Sequence, residues 1–236
     1  MIVMNNAAPA PADVAGIPAP GLWEPPAPVR VRGTVAVVAG AAETPRVYER
    51  FGRRISADGY VVGVFEAADA AHATAWLSEQ EVAPRVLIGS DAGSLAVLAA
   101  LAAAATADGA VVAGTPLQGE SAAEPAARTA CPVHLGVLGE GSARSSRDVA
   151  IAPATAAQLA SIEVPVLAVH GTADSVSPFA DAVRYLGALP HLQIVETVGG
   201  LHDALNDTSH RSVAARIVLW LEDLRAGAVI TREVAA

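Results

Sequence analysis

At 236 residues the chain is long enough for one large α/β domain with a sizeable core, and it needs neither disulfides nor metal to close it. Hydrophobic residues make up 53% and charged residues 17%, which excludes a generally disordered chain. The net charge of −9 at pH 7 argues against nucleic acid as a partner, because phosphate contacts need clustered Lys and Arg.

The densest basic group, Arg46, Arg50, Arg53 and Arg54, reads as a solvated helix face, with an anion site as the alternative. One cysteine, Cys131, precludes an internal disulfide and is compatible with a reducing compartment. It precedes Pro132 and has no strand-turn-helix setting, so it is not a candidate nucleophile. No basic segment followed by an apolar one marks a secretory signal, and the Ala-rich stretch Leu95–Ala105 is too short to span a bilayer. A soluble, cytoplasmic protein without stable membrane insertion is expected. A small-molecule substrate is the expected partner, and a homo-oligomer is compatible with the sequence.

Residues 1–28 carry seven prolines and are expected to be extended or disordered, with Trp23 pinning the end of the segment to the domain. From Val29 the pattern alternates. Thr34–Ala39 reads as a strand, Val47–Ala57 as a helix stopped by Asp58-Gly59, and Tyr60–Phe65 as a second strand. Ala68–Glu81 reads as a helix, Val86–Ile88 as a strand, Gly93–Ala107 as a long helix, and Ala110–Ala113 as a strand. A less regular stretch, Thr115–Ile162, is the expected cap. Then come strand Val166–Val169, helix Pro178–Ala188, strand Gln193–Val198 and a final helix His210–Arg225. Strands that are apolar throughout and alternate with helices imply a mostly parallel central sheet covered on both faces, with the small cap inserted at about 115–162 of a domain spanning 29–230.

Ligands of such sheets bind at the carboxyl ends of the strands, and three places stand out there. The first is Gly89-Ser90-Asp91-Ala92-Gly93, which follows a strand and opens a helix. This is the frame of a nucleophile elbow, where small residues two before and two after the centre avoid clashes in a sharp turn. Asp91 occupies the centre; Ser90 and Ser94 lack glycine at both flanking offsets. The second is Asp174, in the turn after Val166–Val169, where an acid can orient a histidine and stabilise its imidazolium. His170, at the strand end, reads as a buried structural histidine. The third is His202, in Gly199-Gly200-Leu201-His202-Asp203, the expected base. His72, His134, His191 and His210 read as structural or exposed.

The order nucleophile, acid, histidine resembles that of the α/β-hydrolases. Over Arg32 to Glu222 the chain is similar to their monoacylglycerol lipase or lysophospholipase-like branch. Gly40-Ala41-Ala42-Glu43 with Tyr48 matches the branch's oxyanion loop in spacing, and Gly59-Tyr60 its helix-to-strand turn. His202-Asp203-Ala204-Leu205-Asn206-Asp207 is similar to its histidine motif. The resemblance implies an α/β-hydrolase fold and an Asp91–His202–Asp174 triad, with the backbone N–H groups of Ala41 and Ala92 as oxyanion donors. Three departures stand beside it. Ala39 replaces the usual His, Asp91 replaces the usual Ser, and Glu66-Ala67-Ala68-Asp69 stands where Asp-x-Arg-Gly-x-Gly is usual.

An aspartate suits attack on saturated carbon better than attack on an ester carbonyl, where it would form a mixed anhydride and expel an alkoxide. Epoxide hydrolases and dehalogenases of this fold are known for that arrangement. Ala92 stands where dehalogenases place a halide-binding Trp, and the three tyrosines (Tyr48, Tyr60, Tyr185) all lie outside the insert, where epoxide hydrolases keep their acids. The expectation is a hydrolase of a small or medium apolar substrate with an ester- or epoxide-type bond, in which Asp91 is either covalent nucleophile or general base. A non-hydrolytic lyase or cyclase, or a silent small-molecule-binding protein, is the alternative. The absence of clustered Cys/His sets and of a phosphate loop implies neither a metal nor an organic cofactor.

Overall fold

The computed structural model describes residues 21–117, 124–147 and 149–232. Seven strands form one sheet: β1 (Gly21–Trp23), β2 (Gly33–Val38), β3 (Tyr60–Phe65), β4 (Arg85–Ser90), β5 (Gly109–Ala113), β6 (Val166–Gly171) and β7 (Leu192–Thr197). Their order is β1-β3-β2-β4-β5-β6-β7, with β1 antiparallel to β3 and every other pairing parallel.

Alternate side chains of the central strands feed two cores. Val35, Val37, Val86 and Ile88 pack with α1 (Glu49–Ala57) and α8 (His210–Ala226) on one face. Ala36, Val38 and Leu87 pack on the other face with α2 (Ala70–Ser78), α3 (Ala92–Ala102), α6 (Ala156–Ala160) and α7 (Phe179–Leu186). Strands buried on both faces are why their sequences are apolar runs without alternation. Two short helices, α4 (Pro125–Arg128) and α5 (Pro132–Leu138), lie in the segment between β5 and β6.

The structure corrects three boundaries. The long helix expected to reach Ala107 stops at Ala102, and Ala104 turns at φ +63°. Eleven residues span about 16 Å, the length of a five- or six-residue strand, so a longer helix would overshoot the sheet edge. The helix expected to reach Glu81 ends at Ser78. Within the Pro-rich segment, Gly21–Trp23 forms an edge strand that sequence reading missed, and Trp23 packs against the core beside Gly52. Residues 1–20 lie outside the described residues. None of the described helices is long and apolar enough to cross a membrane.

Candidate active site

β4 delivers Asp91 into the turn that opens α3. Asp91 holds φ +50° and ψ −126°, a conformation that costs a non-glycine residue roughly 1–3 kcal/mol. The flanking glycines permit it. A Cβ on Gly89 would lie 2.4 Å from the Gly93 carbonyl oxygen, and one on Gly93 would lie 2.1 Å from that of Val38. Ser94 Oγ donates to the Asp91 carbonyl at 2.6 Å, a capping bond that turns this hydroxyl away from chemistry.

The loops after β6 and β7 bring two further groups to Asp91. His202 Nε2 lies 3.2 Å from Asp91 Oδ1, and its Nδ1 lies 2.8 Å from Asp174 Oδ2. The other Asp174 oxygen accepts the N–H groups of Val176 and Ser177, both at 2.9 Å, which fixes the carboxylate. Burial opposes a charge on His202, but hydrogen bonds to Asp174 and Asp91 outweigh it and push its pKa up to about 9. Burial likewise opposes ionisation of Asp174, yet His170, His202 and the Ser177 N–H hold it well below the usual carboxylate range. Both ring nitrogens face carboxylates, an arrangement that favours the imidazolium at neutral pH. His170 is buried, with Nε2 at 2.7 Å from the Ser177 carbonyl and 3.0 Å from Asp174 Oδ2. It braces the acid.

The Ala41 N–H donates to Asp91 Oδ2 at 3.1 Å. Ala92, the other expected donor, starts α3. The preceding Gly40 N–H is consumed locally by Glu43 Oε2 (3.1 Å) and the Tyr48 hydroxyl (3.0 Å). Tyr48 in turn donates to Glu43 at 2.6 Å; burial, reinforced by that carboxylate, drives its pKa far up, so it is no proton donor for catalysis.

Sequence reading missed the centre of this network. Arg128, at the end of α4, is 7% exposed and bridges three loops. Its Nη2 donates to Glu43 Oε1 at 2.7 Å and to Asp203 Oδ1 at 2.8 Å, and lies 3.7 Å from Asp91 Oδ2. Its Nε donates to Asp203 at 3.1 Å. Asp203 also meets His134 Nε2 at 2.8 Å, so His134 is a buried member of the cluster. Asp207 accepts from Leu201 N–H (3.0 Å), Ala130 N–H (2.8 Å) and Thr129 Oγ1 (3.0 Å), tying the histidine loop to the insert. No local pattern marks Arg128; the conspicuous signals are its partners, Glu43 in the oxyanion-like loop and Asp203 beside the histidine.

A cavity of about 390 Å³ is lined by Ala41, Ala42, Glu43, Pro125, Arg128 and Arg144 among others; Asp91 does not line it, but Ala41 and Arg128 of its wall approach the Asp91 carboxylate. Asp91 and His202 themselves are 1% exposed. Arg46, just before α1, and Arg53 and Arg54 on it form ion pairs with Glu49, Asp58 and Glu140, as a solvated helix face does, while Arg50 turns inward to the Asn206 carbonyl. Among the described residues no group of three or more His, Cys, Asp or Glu is arranged to hold a metal ion.

No protein-family model matches the sequence, and no curated protein matches it. Solved structures do match. A monoacylglycerol lipase from Paleococcus ferrophilus superimposes with a TM-score of 0.71 at 17% identity, over 86% of this chain and 98% of that one. A soluble variant of the Saccharomyces cerevisiae monoglyceride lipase gives a TM-score of 0.71 at 14% identity, over 92% and 99%. Est1E from Butyrivibrio proteoclasticus gives 0.62 at 14% identity, over 87% and 93%. With the parallel sheet, the strained turn after β4 and the histidine loop after β7, these likenesses establish that the chain has the α/β-hydrolase fold.

Proposed function

We propose that the protein is a hydrolase of a small or medium-sized, largely apolar substrate, acting through Asp91, His202 and Asp174, and that its substrate carries an epoxide-type bond in preference to an ester. The observation that carries this reading is the division of labour between the two Asp91 oxygens. Oδ1 faces the His202 imidazolium, and Oδ2 rests on the Ala41 N–H. Solved structures of the same fold bear the names of lipases and esterases, which supports hydrolysis as the reaction class.

The chemistry balances with these groups alone. Asp91 Oδ1 attacks a ring carbon, the C–O bond of the strained ether breaks, and the alkoxide takes the proton of the His202 imidazolium. Esterified Asp91 has lost its charge, so one of the two anions that held the proton on His202 is gone, and the neutral ring becomes a base in the intermediate that needs one. It takes a proton from water, whose oxygen attacks the Asp91 carboxyl carbon. The developing oxyanion is Oδ2, already on the Ala41 N–H. Collapse breaks the bond between the carboxyl carbon and Oδ1, which leaves in the diol; the departing alkoxide takes the proton of the new carboxyl group, and the carboxylate and the imidazolium are restored. Tyrosine acids in the insert are not needed in this scheme, because the resting imidazolium supplies the first proton.

The cavity wall is mixed: Ala41, Ala42, Pro125 and Leu138 offer apolar contact to part of the substrate, and Glu43, Arg128 and Arg144 support a polar group on it. One observation favours a second reading, a silent binding pocket: both Asp91 and His202 are 1% exposed. A screen of matched epoxides and esters on wild type, Asp91→Ser and His202→Gln separates the two. Epoxide opening by wild type that is lost in Asp91→Ser and in His202→Gln, with a mass adduct on Asp91 in rapidly quenched wild type, is the expected result. Turnover that needs Asp91 but never traps an adduct would assign it a base role, open to lyase or cyclase chemistry. No turnover by any variant would leave the silent pocket.

A further inference from the structure

We propose that Arg128 is the substrate-orienting residue of this site, offering the two N–H groups of Nη1 to an oxygen acceptor on the substrate beside the carbon that Asp91 attacks. The proposal rests on the reading of the cavity as the substrate site. It begins from an incomplete set of bonds. A guanidinium has five N–H donors in a fixed plane. Nε and Nη2 are spent on Asp203 and Glu43. Nη1 hydrogen-bonds no described residue, although the side chain is only 8% exposed and lines the cavity.

The bonds to Glu43 and Asp203 fix the plane of the fork, so that the free edge is held without rotamer entropy to lose on binding. Burial acts against a charge on Arg128, and the neighbouring Asp203, Glu43 and Asp91 carboxylates more than offset it, so the group stays cationic. A fixed cation within 3.7 Å of Asp91 Oδ2 at the cavity wall is placed to hold an ether, carbonyl or alkoxide oxygen while Asp91 reacts one or two atoms away. Arg128 donates hydrogen bonds only; the transferred proton remains that of His202. A lysine paired with two carboxylates keeps a single N–H, not held in a plane at the cavity wall as the two of Nη1 are, which makes Arg128→Lys informative.

The test compares two probes of similar size, phenylacetamide, which carries an oxygen acceptor, and ethylbenzene, which does not. Affinities are measured by titration calorimetry or NMR on wild type, Arg128→Met and Arg128→Lys. Phenylacetamide should weaken roughly tenfold or more in both variants, the size expected for loss of a charge-assisted hydrogen bond, while ethylbenzene changes by less than about twofold. Equal weakening of both probes, no change in either, or no binding of phenylacetamide to wild type overturns the proposal. Should the variants fail to fold, the Arg128 side-chain nitrogen signals of wild type decide it: phenylacetamide must move them and ethylbenzene must not. Because these are binding readouts, a protein that holds phenylacetamide through Arg128 yet hydrolyses nothing retires the hydrolase reading and keeps Arg128 as the residue that binds an oxygen acceptor in the cavity. Turnover with a KM indifferent to Arg128→Met does the reverse.

Discussion

Around His202 the charge balance is set by atoms a few ångströms apart, and its consequence is a pH dependence of definite sign. The folded pKa is raised from 6.5 to about 9, so the stabilisation from its two carboxylate partners is fully present below pH 6.5 and is lost as pH rises through 9. A shift of that size corresponds to about 3 kcal/mol at most. Urea denaturation of wild type at pH 6 and at pH 9.5 should show this loss, and Asp91→Asn should show a smaller one. NMR titration of the ring should report about 9 in wild type and a lower value in Asp91→Asn, because the amide replaces an anion at 3.2 Å. An unchanged ring pKa in that variant would mean that Asp91 does not govern the proton, and the switch from acid to base proposed above would fail. The participants in this pairing were legible in the sequence, since each sits at a strand end with a distinctive turn. The arginine beside them was not. Its partners Asp203 and Glu43 lie 75 and 85 positions away in the chain, and nothing local distinguishes it from any other surface arginine.

At the scale of elements, what the sequence revealed best were the strands, because burial on both faces leaves an uninterrupted apolar run such as Val35–Val38 or Val86–Ile88. Helix ends were less legible, since sheet geometry and not propensity stopped α3 among alanines that favour continuation. Strand β1 was hidden by its prolines and by having only three residues. Backbone proximity at the elbow gives the sharpest prediction here. Gly93→Ala puts a methyl group 2.1 Å from the Val38 carbonyl oxygen, and neither α3 nor β2 can move without breaking the sheet. The variant should lose about 3 kcal/mol or more in urea denaturation, at the upper end of overpacking costs. Gly136→Ala in α5, where a Cβ meets nothing within 4 Å, should instead gain up to about 1 kcal/mol from helix propensity. Equal effects at the two glycines would show that the turn relaxes, and the strain argument for Asp91 would lose its footing.

Across the whole molecule, the segment between β5 and β6 is held to the sheet domain by polar contacts at two sides of the site. On one side Glu43 bridges to Arg144, the Ser145 N–H donates to the Ala42 carbonyl at 2.8 Å, and the Thr44 hydroxyl donates to the Ser142 carbonyl at 2.7 Å. On the other, the Asp203 N–H donates to the Arg128 carbonyl at 2.9 Å, and Asp207 gathers Leu201, Ala130 and Thr129. Such contacts stabilise little relative to water but are costly to leave half-made when buried, roughly 1–3 kcal/mol for each stranded partner. Asp207→Ala strands two backbone N–H groups and a hydroxyl in one change, on the histidine loop and the insert together. Hydrogen exchange should therefore lose protection in residues 124–147 and 201–207 in concert, while β2, β4 and β5 keep theirs, because the sheet does not depend on Asp207. Exchange that rises in only one of the two segments would mean that they are held independently. In that case the insert does not position His202, and the geometry of the site would have to be credited to the strand ends alone.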